Sequence, residues 1–127
     1  LIAVIDTGIM YTHEDLKANI WTNTKEIPDN GIDGDNNGYI KDVHGWNFGE
    51  NNNNPMDYDG HGTHCAGIIG AVGNNGIGVT GINQNVTIMP LKVADNLGIL
   101  SSSGSLKAIQ YGSDMGVRIF SCSYGIT

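Results

Sequence analysis

The chain has 127 residues and a formal net charge of −7 at pH 7, a length that suits one modest domain. The charge is lopsided: positions 1–60 carry eleven acids against three lysines, whereas 61–127 carry two acids against three bases. So acidic a half argues against a nucleic-acid partner and is compatible with bound cations, and no apolar run is long enough for a membrane-spanning helix.

The first five residues are apolar and run into Asp6, which predicts a buried, parallel-type strand over Leu1–Asp6 that ends in a carboxylate. A turn follows from Gly8 to Thr12, then a short helical turn within His13–Ile20. Positions 22–56 are rich in Asn, Asp and Gly, and read as a long loop with a surface tip at Asn51–Asn54; a loop of that length is uncommon unless it is functional or disordered. A helix is predicted over Gly60–Val72, a turn-rich loop over Gly73–Gly81, and a second strand over Val86–Val93 in which Pro90 is an anomaly. Ser101–Ser103 offer N-caps for a helix running through Leu106, Ile109 and Met115, and Val117–Cys122 reads as a third strand. Strands alternating with helices predict an α/β fold, part of a doubly wound parallel sheet with right-handed crossovers. Residues 1–127 show no internal repeat and no boundary between two domains. The chain opens inside a strand without an initiating Met, so a piece of a longer protein is expected, any signal peptide lying outside it. Cys65 and Cys122 are expected as buried free thiols rather than a bridge. Asn85, Val86 and Thr87 form a glycosylation triplet of a kind common by chance.

His61 stands where the loop gives way to the first helix, a place from which an imidazole held by a rigid element can face a cleft. An imidazole used as a base needs an orienting carboxylate. Asp6, at the carboxyl end of a sheet strand, sits where working residues of α/β sheets collect. Taken singly, Asp6 reads as a strand-end turn residue and His61 as a helix cap; taken together they read as an orienter and its base. Asp33, Asp35 and Asn37 place oxygens at alternate positions, Gly38 can turn the chain, and the Tyr39 carbonyl can join them, a calcium-type arrangement. The stretch begins like an EF-hand loop but has His44 at the twelfth position, and a solvated acidic turn is the other reading. His61, His64 and Cys65 could chelate zinc, although Gly62 and Gly67 weaken the helix and no fourth ligand has suitable spacing.

The segments Val-Ile-Asp-Thr-Gly-Ile (4–9), His-Glu-Asp-Leu-Lys (13–17) and His-Gly-Thr-His-Cys-Ala-Gly (61–67), in that order, resemble the subtilisin-like serine proteases. The resemblance implies the amino-terminal half of a subtilase sheet and a serine endopeptidase, with the triad in the chain order Asp, His, Ser. Asp6 is then the orienter and His61 the general base. The family's nucleophile lies in a downstream Gly-Thr-Ser-Met motif that this chain lacks, and none of Ser101–Ser103, Ser105, Ser113, Ser121 or Ser123 matches it; the oxyanion-hole Asn lies downstream as well. The 127 residues alone are therefore expected to be inactive. By the same resemblance His64 is a structural neighbour of the site. Cys65 matches a Cys of proteinase K-like members, near enough to His61 to make the parent sensitive to mercurials. Segments carrying Gly98 and Leu100, and Ser123, Tyr124 and Gly125, would pair with an extended polypeptide substrate. Tyr124 replaces a common Leu there, and would serve equally well as a core aromatic. Asp42 joins Asp33, Asp35, Asn37 and Tyr39 around a structural Ca2+, and a second calcium site draws on Asp15, the Asn75 side chain and the carbonyls of Gly73, Ile77 and Val79. The family further implies a propeptide, a monomer, and a secreted or vesicular location. A calcium-binding, non-catalytic module and a zinc hydrolase are the alternatives. An isolated half-sheet would expose an edge and apolar surface, so poor solubility is expected.

Overall fold

The computed structural model describes residues 1–26 and 31–125; positions 27–30 of the acidic loop and 126–127 lie outside the described residues. Four parallel strands, β1 (Ile2–Asp6), β2 (Trp46–Asn47), β3 (Ile88–Lys92) and β4 (Ile119–Ser121), form one sheet in the order β2-β3-β1-β4. Two helices, α1 (His61–Gly70) and α2 (Ser102–Asp114), supply the crossovers.

Side chains of a strand point alternately to the two faces, and β1 is apolar at every position before Asp6 because both faces are covered. Ala3 and Ile5 join Met89, Leu91, Val93, Ala108, Tyr111 and Val117 in the core under α2. Val4 joins Ile9, Leu16, Ala66, Val86 and Ile88 under α1. The sheet is therefore doubly wound, and Asp6, two residues beyond Val4, projects on the α1 side.

Both helices lie close to the sheet because the residues they bury are small: Gly62, Ala66 and Gly70 on α1, and Gly104, Ala108 and Gly112 with Tyr111 on α2. The helix expected through Leu106 and Ile109 forms, with these large residues on its outer side. Leu106 is 71 % exposed and Ile109 41 %, since a large side chain facing the sheet would hold the helix away from it. The Ser101 hydroxyl caps α2 by accepting from Gly104 N–H at 3.0 Å. Pro90 lies inside β3 without orphaning the ladder. Its neighbours Met89 and Leu91 face β1 with their N–H groups, so the N–H that Pro90 lacks would face β2, whose pairing begins only at Leu91. That short strand, Trp46–Asn47, falls within the stretch read as loop.

The rest of that stretch is anchored by aromatic packing. The Tyr39 ring sits edge-on to Trp46, Phe48 and Tyr111, with centroids 5.0, 5.7 and 5.0 Å away. Both cysteines are free, as expected, but Cys65 is half-buried and Cys122 exposed. β4 extends only to Ser121, which leaves Cys122 on the irregular segment beyond it.

Candidate active site

In an all-parallel sheet the carboxyl ends of all strands lie along one edge. Asp6 ends β1 in the middle of that edge, flanked by the segments that follow β3 and β4. His61 is the first residue of α1. The two meet across 55 positions of sequence: Asp6 Oδ1 lies 2.7 Å from His61 Nδ1. Asp6 Oδ1 also accepts from Thr7 N–H at 2.7 Å, while Oδ2 is buried without a partner among the described residues. The environments are asymmetric. The Asp6 side chain is 3 % exposed and that of His61 51 %, so the carboxylate is fixed and shielded while the far edge of the ring meets solvent. The bond to Asp6, and then its charge, raise the His61 pKa above the ordinary value. An Nδ1–H donated to Asp6 leaves the Nε2 lone pair outward, the tautomer a general base requires.

The approach of α1 to β1 depends on glycine at 62. A Cβ there would collide with the Gly8 carbonyl oxygen and lie 3.1 Å from Asp6 Cβ. Two further groups, not foreseen from sequence, hold the surrounding loop. Asp57 accepts the Thr7 hydroxyl at 3.0 Å, the Thr63 hydroxyl at 2.6 Å and Thr63 N–H at 3.0 Å. Lys92, 3 % exposed at the end of β3, donates to the Met56 carbonyl at 2.9 Å and lies over the Tyr58 ring. The usable signal for Asp57 was its place just before the helix start, where a carboxylate satisfies free N–H groups.

Cys65 Sγ lies 4.0 Å from His61 Nδ1. His64 lies elsewhere, lining a cavity over the outer face of α1 with Met10, Ile68 and Ile82. Among the described residues the ligand-type side chains gather as Asp6, His61 and Cys65, and as Glu26, Asp35 and Asp42. The zinc set His61, His64, Cys65 is therefore not assembled. The segments assigned to substrate flank Asp6 as the topology requires. Leu100 bridges back to Ala94, and Gly98, at φ +78°, tightens the turn between them. Ser123 and Gly125 are exposed after β4, whereas Tyr124 packs against the α2-side core and donates to Ser105 Oγ at 2.9 Å.

In the acidic loop the structure brings Asp35, Asn37 and Asp42 of the implied set together and adds Glu26. Glu26, Asp35 and Asp42 bring carboxylate oxygens within 4.8 Å of one another. Asn37 donates to Asp35 and Asp42 at 3.2 and 2.7 Å, and the Tyr111 hydroxyl donates to Asp42. Asp33 instead accepts the N–H groups of Asn37 and Gly38, at 3.1 and 2.7 Å, and shapes the turn. The Tyr39 ring packs in the aromatic cluster, and the ligand atom expected there, its backbone carbonyl oxygen, is a separate group. Glu26 came from outside the alternating motif, so spacing gave no sign of it. Burial, as the largest influence, pushes the Asp42 carboxyl up to about 6. At the other expected calcium position the 75–79 loop wraps Asp15, whose oxygens accept from Asn75 Nδ2 at 2.8 Å and Val79 N–H at 2.9 Å. Ile77 N–H turns to the Asn75 side-chain oxygen. Gly73 starts this loop.

A carboxylate–imidazole pair at the carboxyl edge of a doubly wound sheet, with the His on the first turn of a helix, has the geometry of the orienter-and-base half of a hydrolase triad. The subtilase family model, Peptidase S8, matches residues 1–127, and the chain belongs to that family. It is 42 % identical over 124 residues to Subtilisin-like protease 1 of Plasmodium berghei, an alignment covering 97 % of this chain and 21 % of that protein. It is 38 % identical over 125 residues to the cell wall-associated protease of Bacillus subtilis, covering 98 % and 12 % respectively. The crystal structure of an Aeromonas sobria serine protease in complex with its chaperone superposes with a TM-score of 0.69 at 25 % identity, over 99 % of this chain and 18 % of that one. The chain thus spans about a fifth or less of the length of these relatives.

Proposed function

We propose that the protein carrying this chain is a serine endopeptidase in which His61 is the general base and acid and Asp6 its orienter. The 2.7 Å bond between Asp6 and His61 Nδ1 carries this reading. Attack on a peptide carbonyl needs a hydroxyl whose proton passes to Nε2 as the bond forms; His61 then returns that proton to the leaving amine, and Asp6 stabilises the imidazolium between the two steps. Among the described residues no serine hydroxyl bonds His61, so the nucleophile is assigned to a serine outside residues 1–127. Gly98, Leu100, Ser123 and Gly125 are proposed to hold the substrate as an added strand, with Tyr124 setting the shape of the adjoining pocket from within the core. The test is labelling of the full-length protein by a serine-directed fluorophosphonate. Labelling that disappears in His61→Ala supports the proposal; a wild-type protein that resists labelling and hydrolyses no peptide overturns it, and leaves the non-catalytic reading.

Structural calcium is proposed for the acidic loop. Glu26 Oε2 is buried with no partner among the described residues, Asp42 is fully buried, and three close carboxylates repel one another unless a cation of hard-oxygen preference neutralises them. Glu26, Asp35 and Asp42 would hold the ion, with Asp33, Asn37 and Tyr39 shaping the loop around it. Asp15, Asn75 and the carbonyls of Gly73, Ile77 and Val79 remain a second, weaker proposal, since the Asp15 oxygens already accept donors. A propeptide, a monomeric state and a place outside the cytoplasm go with the protease reading, and the name of the Bacillus subtilis relative supports the last of these.

A further inference from the structure

Asp57 collects five hydrogen bonds, and they come from both sides of the site. Its Oδ1 accepts from the Thr7 hydroxyl, Asp59 N–H and Gly60 N–H at 3.0, 2.9 and 3.0 Å; its Oδ2 accepts from Thr63 N–H and the Thr63 hydroxyl at 3.0 and 2.6 Å. Each of the two hydroxyls also accepts across the gap. Thr7 Oγ1, on the strand side, receives Gly62 N–H of the helix at 2.9 Å, and Thr63 Oγ1, on the helix side, receives Met10 N–H at 2.9 Å. The result is a reciprocal cross-brace with every member satisfied, the condition under which a polar network rigidifies its surroundings. Its position is specific. Thr7 directly follows Asp6, and Gly62 directly follows His61, so the bonded pair Thr7–Gly62 sits one residue beyond the bonded pair Asp6–His61.

We propose that Asp57, acting through the hydroxyls of Thr7 and Thr63, is a positioning residue that sets the separation and alignment of Asp6 and His61. The inference rests on the protease reading and adds a second tier to it: the carboxylate that orients the imidazole is itself held in register by another carboxylate that touches neither ring nor substrate. Asp57 is kept ionised for this. Burial, the largest single influence, would raise its pKa, but the bonds from Gly60, Thr63 and Asp59 together outweigh it and hold the carboxyl below the ordinary value.

The decisive variant is Thr7→Val in the full-length protein, which removes one hydroxyl at nearly constant volume and changes no charge. The groups facing His61 are the Asp6, Asp57 and Asp59 carboxylates and the Cys65 thiol, and all stay in place. The His61 ring is titrated by 15N NMR and peptide hydrolysis is measured alongside. The expected result is a titration midpoint that moves down toward 6.5, with kcat reduced about 10- to 100-fold and KM changed by less than about twofold. Thr7→Ser restores both, and Asp57→Asn reproduces the loss. Should Thr7→Val fail to fold, Thr63→Val removes the other hydroxyl and is read the same way. Wild-type titration and kcat in a folded Thr7→Val, a defect confined to KM, or a loss that Thr7→Ser leaves uncorrected overturns the proposal. If the wild-type protein proves inactive, the protease reading fails, and the titration alone still decides whether the brace positions the pair.

Discussion

At the scale of single residues, the site is defined by what each partner makes of its neighbour. Asp6 is shielded and fixed, and His61 is half in water, so the pair behaves as a rigid acceptor addressing a titratable ring. Replacing Asp6 by Asn keeps the volume but presents the wrong hydrogen-bonding face to Nδ1. The expected cost in the full-length protein, on the protease reading, is about 10⁴-fold in kcat, measurable with a chromogenic peptide. The same pair sets a pH dependence. The folded-state pKa of His61 is raised, so the imidazolium contributes stability below the unfolded value of 6.5, and that stability is lost as pH rises through the folded value. Catalysis needs the neutral ring, so the acid limb of kcat/KM should have its midpoint above 6.5, and Asp6→Asn should move any residual limb downward. A limb unmoved by that substitution would place the titrating group elsewhere. Asp42 follows the same sign, though here the low-pH form is the neutral one. Its pKa is raised from 3.8 to about 6 by burial, so in chelator its ionisation costs stability as pH rises across that window. Asp42→Asn, compared with wild type by thermal unfolding in chelator, should look relatively better at pH 7 than at pH 4, and relatively worse once calcium is added.

At the scale of elements, the fold is organised by what its helices omit. Small residues recur every four positions along α1 at Gly62, Ala66 and Gly70, and a close helix–strand approach is the only way His61 can reach Asp6. Gly62→Ala should therefore cost about 1–3 kcal/mol of stability, the range for overpacking, and should lengthen the Asp6–His61 bond. Equilibrium denaturation with the His61 titration as a second readout checks both. The same feature explains what the sequence made legible. β1 and the start of α1 were plain because a continuous apolar run ending in Asp, and a switch from turn residues to small ones at His61, are local patterns. The inner face of α2 was not legible because burial there follows the space available, so Ala108 and Gly112 are inside while Leu106 and Ile109 are outside. β2 escaped notice because two residues have no periodicity, and Trp46–Asn47 is a strand only by virtue of the edge of β3 beside it. The acid cluster was half legible: Asp35 and Asp42 lie in a recognisable loop, but Glu26 enters through the path of the chain. Glu26→Gln should abolish calcium-dependent gains in melting temperature and leave the melt in chelator unchanged or slightly raised, because one repelling carboxylate has gone.

At the scale of the whole chain, the two faces of the sheet are unequally finished. The α2 face closes over an aromatic cluster. Outside α1, by contrast, Met10, Ile68, Val79 and Ile82 line a cavity of about 710 Å³, and they are 44, 55, 62 and 90 % exposed. Apolar surface gathered in this way is uncommon on a soluble monomer and drives association when nothing covers it. Residues 1–127, prepared alone, should therefore self-associate in a concentration-dependent manner by sedimentation velocity. The driving force is burial of apolar area, so association should strengthen on warming from 5 to 25 °C, where the hydrophobic contribution grows. Ile68→Ser with Ile82→Ser removes the two protruding side chains at the helix face and the loop beside it, and touches neither core. It should weaken association at least tenfold with no change in the far-ultraviolet circular dichroism. If the double variant associates as tightly as the original chain, the adhesive surface is the exposed rim of Leu97, Ile99 and Leu106 at the other edge, and the α1 face is not what limits solubility.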